Sequence, residues 1–304
     1  MPLVSILVPA YNGERFLGVA LESALAQTHR EIEVIVGDDG STDATLALAR
    51  SFAARDGRVR VLEAERNLGA PANQVRLHHA AAGAFVKPLL QDDVLAPDAV
   101  QRLLAPLLQD DAIVLATSKR GLIDEHGAAL PDVPWTRALV PQDAVLDGTS
   151  LGDAMLTGTA NLVGEVTTAL YRAGVVAPDG LWHLGGEEYR ANGDIALWLK
   201  LLAGAKAFYT PAELSWFRQH AQQASQDAEV ILGGQLEWAR LALEARTYGF
   251  LSDPAHEEAA LVRAAQVAGQ GLPAAVARPD VLDTLTGALS RLLARVDQLQ
   301  AVAA

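Results

Sequence analysis

Apolar residues in the first third of the chain fall into short dense runs, separated by stretches where they recur every three or four positions. The runs at residues 3–8, 32–36, 59–62, 85–90 and 112–117 have the length and aliphatic content of buried strands. Between them, Phe16, Val19, Ala20, Ser23 and Ala24 share one helical face, and helices are predicted over 44–54 and 72–82. Ser41 or Thr42 is a ready N-cap for the first of these. A further helix opens near Pro97, with Ala99, Leu103, Leu104 and Leu107 as its apolar stripe. Strands and helices that alternate with short connections predict parallel pairing and right-handed crossovers, hence an α/β fold. In such sheets ligands bind beyond the carboxyl ends of the strands. Three of those ends carry Tyr11-Asn12, Asp38-Asp39 and Asp92-Asp93, and one shared cleft is expected.

The alternation weakens over 119–146, which is rich in Pro, Gly and Asp and reads as an irregular insertion. Periodicity returns at 150–156, followed by a strand at 167–171 and a turn at Gly185-Gly186. A helix is expected from Gly193-Asp194 and strands over 206–209 and 214–218, and from Asp227 onward the pattern is wholly helical. In the last helix Leu282, Leu285, Leu289, Leu292, Val296 and Leu299 recur in steps of three and four, a heptad-like seam. Such a seam packs either on the chain's own body or on a twin, making a homodimer.

Composition narrows the function. With 304 residues, 50% hydrophobic and 20% charged, the chain can bury a sizeable core. A formal net charge of −13 argues against a nucleic-acid binder and against docking on anionic membranes. The absence of cysteine removes disulfides, thiolate metal sites and cysteine nucleophiles. No apolar run reaches the ~18 residues of a membrane span, and the first residues form no signal peptide, so a cytoplasmic protein with no transmembrane segment is expected.

Candidate chemistry centres on Asp92 and Asp93. Adjacent acids at the carboxyl end of a buried strand are costly unless a cation compensates them, and a divalent metal carrying a diphosphate fits. A solvated turn with a helix-capping Asp explains the same two residues.

Six segments in order settle the choice of family to compare. The runs 4–12 (VSILVPAYN), 32–43 (IEVIVGDDGSTD), 67–73 (NLGAPAN), 90–98 (LQDDVLAPD), 192–200 (NGDIALWLK) and 217–225 (FRQHAQQAS) resemble those of family 2 glycosyltransferases. The resemblance covers about residues 3–225. It implies a GT-A fold, a Rossmann-like α/β sandwich with a mainly parallel sheet, extended here by C-terminal helices. It also implies a transferase domain over 1–226, with a nucleotide-sugar half (1–117) and an acceptor half (118–226), followed by a helical extension at 227–304.

The implied activity is inverting, metal-dependent transfer of a sugar from a nucleotide-diphosphate donor, a UDP- or dTDP-sugar, to a hydroxyl of a glycan or lipid-linked saccharide in polysaccharide synthesis. By resemblance Asp93 is the principal ligand of Mn2+ or Mg2+, with Asp92 on the metal or the ribose and His220 as a further ligand or diphosphate contact. Pro9, Ala10, Tyr11 and Asn12 shape the nucleotide pocket, and Asn67, Gly69 and Asn73 form its next loop. Asp39 accepts the imide N–H of the base and Asp38 caps the following helix. Asp194 is the general base, a position where a plain helix N-cap is the competing reading, and Glu187 and Glu188 are rivals. Gly164-Glu165 resembles part of an acceptor loop, and Trp182, His183 and Trp216 are either a sugar platform or core. Two departures stand out: position 91 is Gln rather than an acid, and Pro71-Ala72 replaces a cationic run, for which Arg76 or Lys87 can substitute. No Gly-rich phosphate loop follows the first strand, which disfavours a nucleotidylyltransferase or a dehydrogenase. The alternative outside enzymology is a non-catalytic nucleotide-sugar-binding or protein-interaction module that uses the heptad helix.

Overall fold

The computed structural model describes residues 1–221, 223, 228–276 and 278–303. Asp227, where the helical region was expected to begin, lies outside them, as do Gln222, Ala224 and Ser225 of the run at 217–225. The chain divides into two compact units: one of residues 1–146, 163–179 and 206–220, the other of 147–162, 180–205 and the residues after 220.

In chain order the first unit opens with β1 (Val4–Ala10), α1 (Leu17–Leu25), β2 (Ile32–Asp38), α2 (Thr45–Arg55), β3 (Val59–Glu63), α3 (Ala70–Ala80) and β4 (Phe85–Pro88). The short β5 (Val94–Leu95), α4 (Ala99–Gln109), the long β6 (Ile113–Ile123), and β7 (Ala129–Leu130) and β8 (Ala144–Asp147) follow. After α5 (Gly148–Gly158) comes β9 (Leu170–Arg172). Then β10 (His183–Leu184), β11 (Glu187–Glu188) and α6 (Gly193–Leu202) precede β12 (Lys206–Arg218). The last helices are α7 (Ala228–Glu244), α8 (Pro254–Gln270), α9 (Leu272–Ala275) and α10 (Pro279–Ala303).

The main sheet runs β3-β2-β1-β4-β9-β6-β12-β5. Its first four strands pair in parallel; the apolar runs of β2, β1 and β4 are buried because helices cover both faces, while the edge strand β3 buries only Val59. Ile6, Val8, Val34 and Val36 meet Leu17, Leu21, Leu103 and Leu107 in one core. Register then fixes the site: Ala10 lies opposite Asp38 and Leu7 opposite Pro88, so the chain leaves all three strands on the same side. The sheet is mainly parallel, but β9 is antiparallel to both β4 and β6. At three residues, its apolar run is too short to announce a direction. β6 continues to Ile123, beyond the expected stop, because Lys119 and Arg120 break the apolar pattern without breaking the strand. The two strands expected over 206–218 are one, β12, whose register against β6 shifts around Pro211, a residue that cannot donate to a ladder.

In the second unit the heptad-like seam of α10 is buried against its own neighbours. Leu285, Ala288, Leu292 and Val296 pack on Ala239 and Ala242 of α7 and on Leu261, Ala264 and Ala268 of α8, whose small side chains let the helices approach. Leu292→Ala is expected to lower the unfolding free energy by about 2–5 kcal/mol, read by denaturant melts, without changing the sedimentation mass. A loss of mass on that substitution would instead show the seam joining two chains. Among the described residues no helix is long and apolar enough to cross a membrane.

Candidate active site

The first strand end is laced to the second by backbone donors meeting side-chain oxygens. Asn12 sits at φ 47°, a left-handed position that Asn tolerates. Its N–H donates to Ser41 Oγ at 3.1 Å, and its Oδ1 accepts from the Thr42 N–H at 2.8 Å. The Gly13 N–H donates to Thr45 Oγ1 at 2.7 Å and the Glu14 N–H to Asp43 Oδ2 at 3.1 Å. The hydroxyls of Ser41 and Thr42 therefore face the first loop rather than capping α2. It is Asp43 that accepts from the Thr45 N–H, at 2.9 Å. Pro9 and Ala10 form the floor, with the Ala10 carbonyl accepting from the Asp39 N–H at 2.9 Å.

Gln91 ties this loop to the third strand end. Its Oε1 accepts the Tyr11 N–H at 2.9 Å and its Nε2 donates to the Tyr11 carbonyl at 3.1 Å. A Cβ on Gly13 would lie 2.2 Å from Gln91 Oε1, so the glycine is required by the clamp. A carboxylate at 91 could accept the N–H but could not donate to the carbonyl. Position 91, read in the sequence as a missing acid, is thus a structural amide. The Tyr11 ring above the clamp is 41% exposed. Gln91→Ala is expected to weaken nucleotide binding about 3–30-fold by freeing this ring, measured by calorimetric titration.

Asp39 spends both oxygens on the next loop: Oδ1 accepts from the Leu68 N–H and Oδ2 from the Gly69 N–H, each at 2.9 Å. Asn67 Oδ1 also accepts the Gly69 N–H, at 2.8 Å. Gly69 adopts φ 91°, ψ 151°, a region essentially confined to glycine. Asn73 is buried and donates to the Gly37 carbonyl at 2.7 Å, so it fastens α3 to β2. Asp38 is buried as well. Its Oδ2 accepts the Ser41 N–H at 3.2 Å, while Oδ1 has no hydrogen-bond partner among the described residues. Of the two acids, Asp38 keeps the less committed oxygen.

The adjacent acids at 92 and 93 have opposite environments. Asp93 is 1% exposed; its Oδ2 accepts from Thr167 Oγ1 at 2.6 Å and its Oδ1 from the Arg218 N–H at 3.1 Å. Burial, then the neighbouring Asp92 charge, pushes its carboxyl well above the usual range. Lys87 is wholly buried and donates to the carbonyls of Pro88, at 3.0 Å, and Thr167. Burial pulls its ammonium down to about 7, and Asp93 opposes that fall. Lys87 therefore cannot reach a donor phosphate, and Arg76 is turned to the Glu63 carbonyl at 3.0 Å and Asn73 Oδ1 at 3.3 Å. Asp92 is partly exposed, and its Oδ2 lies 3.0 Å from His220 Nε2. Phe16 packs on the His220 ring at a 4.9 Å centroid distance and also carries the Arg218 guanidinium 4.8 Å above its own face. Arg218 Nε donates to the Asp92 carbonyl at 2.7 Å, which fixes the backbone of the acidic turn.

This donor set can be tested for a divalent cation. Asp92 and His220 offer one oxygen and one nitrogen 3.0 Å apart, while each Asp93 oxygen already accepts one hydrogen bond, from Thr167 or the Arg218 N–H. No group of three His, Cys, Asp or Glu side chains gathers as a metal site among the described residues. Two protein ligands completed by phosphate oxygens and water is the habit of Mg2+ and Mn2+, so the residues fit a cation bound together with a diphosphate.

Asp194 stands in the first turn of α6, inside the helix rather than at its cap, which is Asn192. Its Oδ2 accepts from Asn161 Nδ2 at 2.7 Å and its Oδ1 from the Ile195 N–H at 2.8 Å. Glu188 pairs with Arg190 at 2.9 Å and Glu187 lies 3.8 Å from Arg240. Trp182 is buried on Gly193, where a Cβ would come 2.8 Å from its ring, so it is core. The His183 carbonyl accepts from Lys200 Nζ at 2.7 Å. Trp216 lies on β12, opposite Val94, and packs on Gly121. Glu165 pairs with Arg120 at 3.1 Å beside Gly164, whose φ is 103°.

Sequence reading passed over the roles of Thr167 and Asn161 and took Gln91 only as a missing acid, because their partners are 74, 33 and 80 residues away.

Against known proteins, residues 5–158 match the family described as Glycosyl transferase family 2. Chondroitin synthase of Escherichia coli is 37% identical over 129 residues, 42% of this chain and 18% of that protein. An uncharacterized glycosyltransferase of Haemophilus influenzae is 30% identical over 226 residues, 74% of this chain and 68% of the relative. The chain thus spans well under half the length of several curated relatives it matches. Among solved structures, S. aureus TarS 1–349 in complex with UDP-GlcNAc superposes with a TM-score of 0.69 at 18% identity, covering 98% of this chain and 84% of that one. The mannosyltransferase PcManGT from Pyrobaculum calidifontis, in complex with GDP-Man and Mn2+, gives 0.55 at 17%, covering 96% and 87%. At such identities the likeness is one of fold, the GT-A fold expected. The match covers the first three strand ends and half of the chain, and with it the chain belongs to glycosyltransferase family 2.

Proposed function

We propose that this chain is an inverting, metal-dependent glycosyltransferase that moves a sugar from a nucleotide-diphosphate donor to a hydroxyl of a glycan or lipid-linked saccharide. One observation carries the reading: a partly exposed Asp92 and His220 meet at the carboxyl end of β4, beside two strand-end loops laced together by hydrogen bonds. Asp92 and His220 would hold Mn2+ or Mg2+, which when bound neutralises the charge that a departing diphosphate acquires. Tyr11 stacks on the base, and Asp39, whose oxygens each keep a second lone pair beside the Leu68 and Gly69 N–H contacts, accepts the imide N–H of a uracil or thymine, which favours UDP- or dTDP-sugars. Arg218 holds the acidic turn in shape without touching the donor.

Asp194 accepts the proton of the acceptor hydroxyl as that oxygen attacks the anomeric carbon. A single displacement of this kind inverts the anomeric centre. Asn161 orients the carboxylate from one side and the first turn of α6 from the other. In this reading residues 1–117 bind donor, 118–226 bind acceptor, and 227–304 form a helical extension.

The test is a thermal-shift panel of UDP-, dTDP- and GDP-sugars with and without Mn2+. Ligands that bind the folded state raise its melting point by mass action. A donor whose shift requires Mn2+ supports the reading. Shifts indifferent to Mn2+, with no transfer, favour a non-catalytic binding module.

A further inference from the structure

From the structure we infer that Glu237 of α7 is a positioning residue for Asp194, so that the helical extension is part of the catalytic machinery's support. The inference rests on Asp194 being the base. Glu237 lies 43 residues beyond Asp194, outside the family match, and is 6% exposed. Its carboxylate accepts from three consecutive backbone N–H groups immediately before α6: Arg190 at 2.8 Å, Ala191 at 3.1 Å and Asn192 at 2.6 Å. The same helix takes a second hold, since the Asn192 side chain donates to the Gly234 carbonyl at 2.8 Å.

The chain before this point needs such an anchor. Residues 183–188 form only two-residue strands joined through Gly185 and Gly186, both at positive φ, so the Glu237 contacts join Trp182 on Gly193 and Asn161 on Asp194 in fixing where α6 begins. Asp194 follows the gripped segment by two residues, and Asn161 receives it from the opposite side. A carboxylate is required at 237 because the three groups that bond to it are all donors. An amide there would turn its own N–H2 toward backbone N–H groups, and the segment would have to move.

The test combines four substitutions in the full chain, two of them also together, with transfer measured under saturating donor and Mn2+. Glu237→Gln is expected to lower kcat about 10–100-fold, with donor Kd unchanged. Glu257→Gln supplies the structural control, because Glu257 is buried between Arg246 and Arg295, at 2.7 Å from each, and touches nothing near Asp194. It is expected to lower the melting point while leaving kcat within about 2-fold. In an Asp194→Glu background, where the carboxylate is already displaced by a methylene, Glu237→Gln is expected to cost less than about 3-fold, because the two substitutions spoil the same geometry. An unchanged kcat for Glu237→Gln overturns the inference. So does a loss that Glu257→Gln matches, or one that multiplies fully with Asp194→Glu. Asp194→Asn separates the underlying reading: normal transfer by that variant removes the base itself, and the positioning role with it.

Discussion

Asp92→Asn is expected to reduce Mn2+-dependent release of nucleoside diphosphate by about 10²–10³-fold and to weaken Mn2+ binding in calorimetric titration. The fold should survive, because Asp92 is partly exposed and an amide oxygen can still accept from His220. The adjacent Asp93→Asn should behave differently. Both of its oxygens accept from buried donors, Thr167 and the Arg218 N–H, and an amide nitrogen would confront one of them. We expect a stability loss of about 1–3 kcal/mol in denaturant melts, with Mn2+ affinity largely retained in the folded fraction. The reverse pattern, with metal binding lost at 93 and kept at 92, would return the metal to Asp93.

Asp194→Asn carries the other large effect. The side chain is isosteric, and its oxygen can still accept from Asn161, so that contact persists while the one from the Ile195 N–H is lost. What disappears is the ability to take a proton. Transfer should fall by about 10²–10⁴-fold while donor Kd stays within about 2-fold of the parent, measured by product formation and titration in parallel. Glu187→Gln and Glu188→Gln should leave the rate near the parent, since Glu188 is engaged by Arg190 and Glu187 lies near Arg240. A rate loss that appears at Glu187 or Glu188, and not at Asp194, would reassign the base.

Much of the donor cradle was legible in the sequence because it depends on local signals. A strand buried on both faces must be apolar throughout, so β1, β2 and β4 declare themselves, and their acidic or amide ends follow directly. Asn12 and Asp39 could be picked out for the same reason. Other features have no local signature. The helix N-cap reading of Ser41 and Thr42 failed because a hydroxyl at a strand end serves a facing loop as readily as its own helix. Asp92 and Asp93 are adjacent and chemically alike, and only the partners brought by β12 and by the turn at Thr167 make one a buried anchor and leave the other partly exposed. The heptad seam of α10 could not name its partner, because small alanines on α7 and α8 carry no mark of what packs on them. Glu237 reads as one more helical acid until three backbone donors are found on it.

The most direct measurement is turnover itself: release of nucleoside diphosphate from UDP-, dTDP- and GDP-sugars by the full chain, with Mn2+ and after chelation, for the parent and Asp92→Asn side by side. The account expects at least one donor to be turned over by the parent with Mn2+, and expects that turnover to vanish on chelation and in Asp92→Asn. Turnover that persists undiminished after chelation and in Asp92→Asn would contradict it.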